Sequence, residues 1–341
     1  MTVPRILGVG TANPVHRFSQ EEVLALAGYA DDRRRGFFLH SGIEGRYLAI
    51  DRAGFAPTET LDDVQGRFRA ASVDLGRRAL LAALAEAGRQ PREIDFLVTT
   101  TCTGRLCPSL DALLIRELGL QRHIQRVHVG DTGCASAMVA LQQAYNHLRA
   151  FPGHLAAVVA VEVCSTSYFL DDELDTAVAN AIFADGAGAM ILACDGPGPW
   201  ILGTRTLVRP EYLDLMGFTF PQGRQRILLS KDIRHIGAEM MGELIADIHQ
   251  THGLGQAEVQ HWVLHSAGMR VLEQAQRQLR LTDADLAAAR AVLRQFGNMS
   301  SATVLFVLRE VLEQRQPQPG DRGLMIALGP GFAAEGALLQ W

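Results

Sequence analysis

The stretch Val127-His128-Val129-Gly130-Asp131-Thr132-Gly133-Cys134-Ala135-Ser136-Ala137-Met138 runs from β-branched residues, through small ones, into apolar positions Met138, Leu141, Tyr145 and Leu148 at helical spacing. That order predicts a strand, a tight turn carrying a thiol, and a helix. The N-terminal end of a helix favours negative charge, so a cysteine there is expected to lose its proton more easily than usual. Cys134 is therefore a candidate nucleophile, against the ordinary alternative of a buried structural thiol.

The turn has a counterpart later in the chain. Asn298-Met299-Ser300-Ser301-Ala302 stands at the matching offset and also opens a helix. Upstream of each, residues 93–100 and 258–265 read alike, as an acidic turn entering a buried strand. A helical segment ending at glycine precedes each (77–88 and 237–253), and another follows (110–118 and 269–279). Residues 183–192 and 323–332 are paired as glycine-punctuated strands. Strands alternating with helices in two matched halves, 1–195 and 196–341, predict a mainly parallel sheet in each half, covered by helices and packed about a pseudo-two-fold axis. Residues 195–199 form the connection. The segment 302–312 is apolar nearly all round, as a helix between two layers must be. Symmetry would then bring Cys134, His265 and Asn298 to one cleft, where ligands of α/β sheets usually bind.

Composition sets limits. A chain of 341 residues that is 48% hydrophobic and 20% charged can bury a large core without disulfides or metals. Its formal net charge of -5 argues against a nucleic-acid partner. No apolar run of membrane-spanning length occurs, and the first residues do not read as a signal peptide, which implies no membrane and a cytoplasmic location. The five cysteines lack C-x-x-C pairs and a pattern shared with histidines, so free thiols are expected and structural zinc is not.

Several strings together carry a resemblance: Gly8-Val9-Gly10-Thr11-Ala12-Asn13-Pro14, Ser41-Gly42-Ile43-Glu44-Gly45-Arg46-Tyr47, the Gly133-Cys134 turn, Gly297-Asn298-Met299-Ser300-Ser301-Ala302 and Gly329-Pro330-Gly331. The chain resembles the thiolase-fold ketosynthases, and among them the chalcone-synthase-like type III polyketide synthases more than ketoacyl-carrier-protein synthase III. The resemblance implies an α/β, five-layered αβαβα fold of two pseudo-symmetric halves with mixed, mainly parallel sheets. It implies that Cys134 takes an acyl group from a thioester. His265 and Asn298 would then promote decarboxylation of a malonyl-type extender, whose enolate attacks the acyl-cysteine. An aspartate at the asparagine position could not donate a hydrogen bond when ionised, so Asn298 favours condensation over acyl transfer to an alcohol, an amine or a second β-keto chain. An intact Cys, His and Asn also argue against a non-catalytic partner subunit.

Further positions follow from the resemblance. The oxyanion hole would combine the Cys134 N–H with one from the loop containing Gly329, Gly331 and Phe332, and His265 could pair with a Cys134 thiolate. Phe183 matches a gatekeeper between pantetheine tunnel and reaction cavity. The second gatekeeper is replaced at or near Ile227, with Met216, Phe218 and Phe220 in the region that would line the cavity. Cys107 matches a side chain that crosses a homodimer into the neighbouring site. Arg33 matches one of three basic positions for coenzyme A phosphates, the others being Gly36 and His40. Arg33, Arg34 and Arg35 would thus bind a phosphorylated carrier or form a solvated helix face. Either acyl-coenzyme A or an acyl carrier protein remains open as donor, with a malonyl thioester as extender and no cofactor beyond these substrates.

Overall fold

The computed structural model describes residues 2–50 and 59–341. The first half contains β1 (Arg5–Ala12), β2 (Arg17–Ser19), α1 (Gln20–Ala27), α2 (Asp32–Leu39), β3 (Gly45–Tyr47), α3 (Leu61–Ala87), β4 (Phe96–Thr101), α4 (Leu110–Leu118), β5 (Gln125–Gly130), α5 (Ser136–Ala150), β6 (Ala156–Val163), α6 (Leu174–Ile182) and β7 (Asp185–Ala193). The second contains β8 (Trp200–Val208), β9 (Met216–Thr219), β10 (Arg226–Leu229), α7 (Ile233–His252), β11 (His261–Leu264), α8 (Met269–Leu279), α9 (Ala287–Phe296), α10 (Thr303–Glu310), β12 (Arg322–Gly329) and β13 (Ala333–Gln340).

Nine strands form one sheet in the order β11-β12-β13-β8-β1-β7-β6-β4-β5. It divides at β1 and β8, which share one residue pair, Arg5 opposite Trp200. The strand-to-helix alternation gives parallel pairing of β4 with β5 and β6, and of β11 with β12. Antiparallel strands enter at β7, beside β1 and β6, and at β13, between β12 and β8. The sheets are therefore mixed.

Five layers follow from the packing. Helix α3 covers the outer side of β1, β7 and β6, and α7 covers β8 and β13 from the opposite side. Between the two halves of the sheet lie α5, which touches β4, β6, β12 and β13, and α10, which touches β1, β7, β11 and β12. Every residue from Thr303 to Leu308 is buried, as expected of a helix apolar on all faces and enclosed on both sides. Strand β1 carries a bulge between Ile6 and Gly8. The Val9 N–H there donates to Glu86 on α3 at 3.1 Å, and the Val9 carbonyl accepts from Arg309 on α10 at 3.0 Å, so outer and central layers both grip this strand.

Position in the sheet corrects one pairing drawn from the sequence. Across the division at β1 and β8, β7 corresponds to β13, β6 to β12 and β4 to β11. Residues 323–332 therefore answer to β6 and not to 183–192. Glycines mark sites of close packing, which occur on strands of different rank, so shared glycine punctuation misassigned the pair. Strands β9 and β10 stand apart as a two-stranded antiparallel ribbon with Phe218 opposite Ile227. Among the described residues no helix is long and apolar enough to cross a membrane. All five cysteines are free.

Candidate active site

Cys134 lies in a single tight helical turn, Gly133–Ala135, that runs into α5. Gly133 has φ 57°, and a side chain there would lie 2.1 Å from Pro330 Cδ. A Cβ on Gly329 would lie 2.6 Å from the Thr132 carbonyl and 2.9 Å from the Ala135 nitrogen. The turn after β12 is thus seated on the turn that carries the thiol, where the sequence reading put it. Gly331 is in this turn, and Phe332 is buried with its ring edge-on to Tyr212 at 5.5 Å.

Asn298 is held from both sides by its backbone. Its N–H donates to Ile182 at 2.8 Å and its carbonyl accepts from Ala184 at 2.8 Å, a parallel bridge to Phe183. The side-chain oxygen accepts from the Ser300 N–H at 2.9 Å and from the Thr303 hydroxyl at 3.4 Å. Those two donors fix the orientation of the amide. Its nitrogen must be the group that donates to the Ala267 carbonyl at 3.1 Å, with one N–H to spare.

Ser300 connects the pieces. It is a non-glycine residue at φ 47°, and its hydroxyl lies 3.3 Å from Cys134 Sγ and 3.3 Å from Cys102 Sγ. Such left-handed residues cost energy and persist where the surroundings impose them. The chain of contacts Cys134–Ser300–Asn298–Ala267 ends two residues from His265, which follows β11 and whose N–H donates to Ile326 at 2.9 Å. Cys134 and Asn298 are thus linked through Ser300, and Asn298 reaches a residue two places from His265, with 166 positions spanned by the Cys134–Ser300 contact and 31 by the Asn298–Ala267 contact.

The electrostatics depart from the sequence reading. Burial pushes the Cys134 thiol up to about 12, against the lowering effect of the Ser300 hydroxyl. Desolvation of a charged sulfur outweighs the helix end here. Burial likewise pulls His265 down to about 4, so the ring is neutral near pH 7. Among the described residues neither ring nitrogen has a hydrogen-bond partner, so the pairing of His265 with a Cys134 thiolate is not formed in this arrangement.

Sequence reasoning missed Glu162 and Cys102. Glu162 sits in β6 among residues that are otherwise all apolar, and that isolated carboxylate was the available signal. It accepts from the Cys102 N–H at 3.1 Å, the Thr103 hydroxyl at 2.9 Å, the Thr101 hydroxyl at 3.3 Å and the Ser301 hydroxyl. Cys102 Sγ lies 3.5 Å from both carboxylate oxygens. Burial raises the carboxyl above its ordinary range despite these donors.

The remaining candidates separate. Phe183 and Ile227 are buried in one apolar cluster with Cys134, Cys164 and Tyr168, and Phe218 packs against it. Met216 is half-buried. Phe220 is 57% exposed and lies just past the end of β9 at Thr219. It lines nothing. Cys107 is exposed. On α2, Asp31 at 2.8 Å and Asp172 at 3.7 Å draw Arg34 aside. Arg33 and Arg35 are exposed and make no ion pair among the described residues.

Residues 67–197 match the family described as FAE1/type III polyketide synthase-like protein, and residues 219–341 match the chalcone and stilbene synthases, C-terminal domain. The chain is 35% identical over 352 residues to 3,5-dihydroxyphenylacetyl-CoA synthase of Streptomyces toyocaensis, covering 99% of this chain and 90% of that protein. It belongs to the type III polyketide synthases. A second relative, 1,3,6,8-tetrahydroxynaphthalene synthase of Streptomyces peucetius subsp. caesius, is 31% identical over 98% of this chain and 93% of its own. Among solved structures, PKS-I of the brown alga Ectocarpus siliculosus superimposes with a TM-score of 0.92 at 30% identity, covering 99% of this chain and 98% of that one. The fold is thus thiolase-like. As a type III polyketide synthase the protein is an acyltransferase of the ketosynthase kind, which joins an acyl starter to malonyl units by decarboxylative Claisen condensation.

Proposed function

We propose that this type III polyketide synthase carries its growing chain on Cys134 and uses His265 and Asn298 to form the nucleophilic enolate. In loading, the Cys134 sulfur attacks the starter thioester, its proton leaves, and coenzyme A is released as the thiol. The resting thiol is neutral, so a base must reach Sγ when substrate binds, and His265, whose ring nitrogens have no hydrogen-bond partner among the described residues, is the group proposed for that task. In extension, the malonyl carboxylate departs as carbon dioxide and its electron pair becomes a thioester enolate. Neutral His265 and the spare Asn298 N–H stabilise the enolate oxygen, the enolate carbon attacks the acyl carbonyl, and the C–S bond to Cys134 breaks. The tetrahedral oxyanion is held by the Cys134 N–H and an N–H of the loop after Gly329. These residues supply every group the steps require, with no cofactor.

The observation that carries this reading is the locked Asn298 amide, held with its nitrogen as donor by Ser300 and Thr303. Coenzyme A thioesters are the proposed donors, docked with help from Arg33 and Arg35, which are exposed and make no ion pair among the described residues. The enzyme acts in the cytoplasm as a homodimer to which exposed Cys107 contributes. The names of the two relatives support a cyclised aromatic product.

Asn298→Asp tests the central assignment. Loss of one such donor costs on the order of 10²- to 10³-fold. Labelled carbon dioxide release from malonyl-coenzyme A should fall by about that factor, while intact mass spectrometry still finds starter on Cys134. Undiminished release would remove Asn298 from the decarboxylation step.

A further inference from the structure

We propose that Arg46 is a positioning residue that sets the Phe183 main chain and the Asn298 amide together, so that decarboxylation depends on it more than loading of Cys134 does. Arg46 stands on β3 and is wholly buried, an unusual state for an arginine. One of its terminal nitrogens donates to the Phe183 carbonyl at 2.6 Å and to the Tyr168 hydroxyl at 3.2 Å. The Tyr168 hydroxyl donates to the same carbonyl at 2.6 Å. Two donors thus converge on one oxygen at the point where α6 ends and β7 is about to start.

The same arginine underlies Asn298. A Cβ built on Gly297 would lie 3.4 Å from the Arg46 Cβ and 3.0 Å from the Ile182 carbonyl, so the arginine stem packs directly beneath the residue before Asn298. Gly297 has φ 72°, which lets the chain turn upward over that stem. Phe183 and Asn298 are joined by the parallel bridge, with hydrogen bonds of 2.8 Å from Asn298 to Ile182 and from Ala184 to Asn298. Arg46 therefore touches both sides of one hydrogen-bonded joint. Strand β3 is itself fixed: it pairs with β2, Glu44 beside it donates to the Arg294 carbonyl at 2.8 Å, and Tyr47 stacks on Phe296 at 6.0 Å.

Cys134 has an anchor of its own in the Gly329–Pro330 turn seated on Gly133, which does not involve Arg46, besides the Ser300 hydroxyl, whose residue is also bonded to Asn298. Release of the joint should displace Asn298 more than it displaces the nucleophile. Misplacement of a reacting group by about 1 Å costs on the order of 10²-fold.

The test compares Arg46→Met, Arg46→Lys and Tyr168→Phe in the full chain, measuring starter transfer to Cys134 by intact mass and carbon dioxide release from malonyl-coenzyme A. Arg46→Met should lower decarboxylation at least about tenfold more than it lowers loading. Arg46→Lys, which keeps one donor at the Phe183 carbonyl, should recover part of the ratio, and Tyr168→Phe should shift it in the same direction by less. If Arg46→Met does not fold, the other two variants carry the comparison. Equal loss of both rates, or no change in their ratio, would overturn the proposal. The inference rests on the assignment of Asn298 to decarboxylation, and Asn298→Asp run alongside separates the failures: if that variant keeps full carbon dioxide release, the assignment itself is wrong.

Discussion

Glu335 on β13 offers a sharp test of how the central layer was built. It is 6% exposed, pairs across the sheet with Thr206, and has the Thr206 hydroxyl on its carboxylate at 2.5 Å. Its face of β8 and β13 looks toward α5, from which Gln142 reaches Thr204 at 3.5 Å. Burial raises the carboxyl from 4.5 to about 7, which corresponds to about 3 kcal/mol of preference for the protonated form in the folded state. Between those two values the folded protein holds more protons than the unfolded chain. The contribution of Glu335 is thus fully present below pH 4.5 and is lost as pH rises through about 7. Glu162 and Asp185 are raised in the same direction, so the wild-type profile alone does not isolate Glu335. Glu335→Gln does, because the amide oxygen can still accept from Thr206 and the group no longer titrates. Urea unfolding monitored by circular dichroism should find the two proteins similar at pH 4.5. At pH 8 the variant should be more stable, by at most about 3 kcal/mol. A difference that does not change with pH, or a wild type that gains on the variant as pH rises, would refute the reasoning.

Two further substitutions probe the site's walls. Gly133→Ala forces a methyl to within 2.1 Å of Pro330 at φ 57°, so starter transfer to Cys134 should fall more than about tenfold and the melting temperature should drop, whereas an unaltered loading rate would show that the two turns are not in mutual contact. Phe218→Ala should change the product distribution measured by liquid chromatography and mass spectrometry, because its ring packs against the cluster that holds Phe183 and Ile227. Phe220→Ala should leave that distribution unchanged, and the opposite pattern would reverse their assignment.

The layered fold was legible because its two decisive signals are local. A strand-to-turn-to-helix transition at Cys134 and a helix with no polar face after Asn298 each need only a short window of sequence. The grouping of Cys134, His265 and Asn298 was legible through the repeat, which converts sequence offset into spatial symmetry, and through the family motifs. What escaped notice depends on contacts between distant positions. Nothing near Ser300 says that its hydroxyl sits between Cys102 and Cys134, and nothing near Cys134 says that burial overrides the helix end. Nothing near Phe220 says that β9 ends one residue before it and leaves its ring exposed. Arg34 is held by its neighbour Asp31 and also by Asp172, 138 positions away, and only the second of these is out of reach of a local reading.

The ribbon formed by β9 and β10 belongs to neither half of the large sheet, yet it delivers Phe218 and Ile227 to the wall around Cys134. The groups assigned to bond making are secured elsewhere, by the Phe183–Asn298 bridge and by the Gly329–Pro330 turn. Cavity shape and chemical machinery are thereby built from separable parts. Descendants of such a protein can exchange ribbon side chains, and so alter the space in which a chain grows and folds back, without disturbing the atoms that lengthen it.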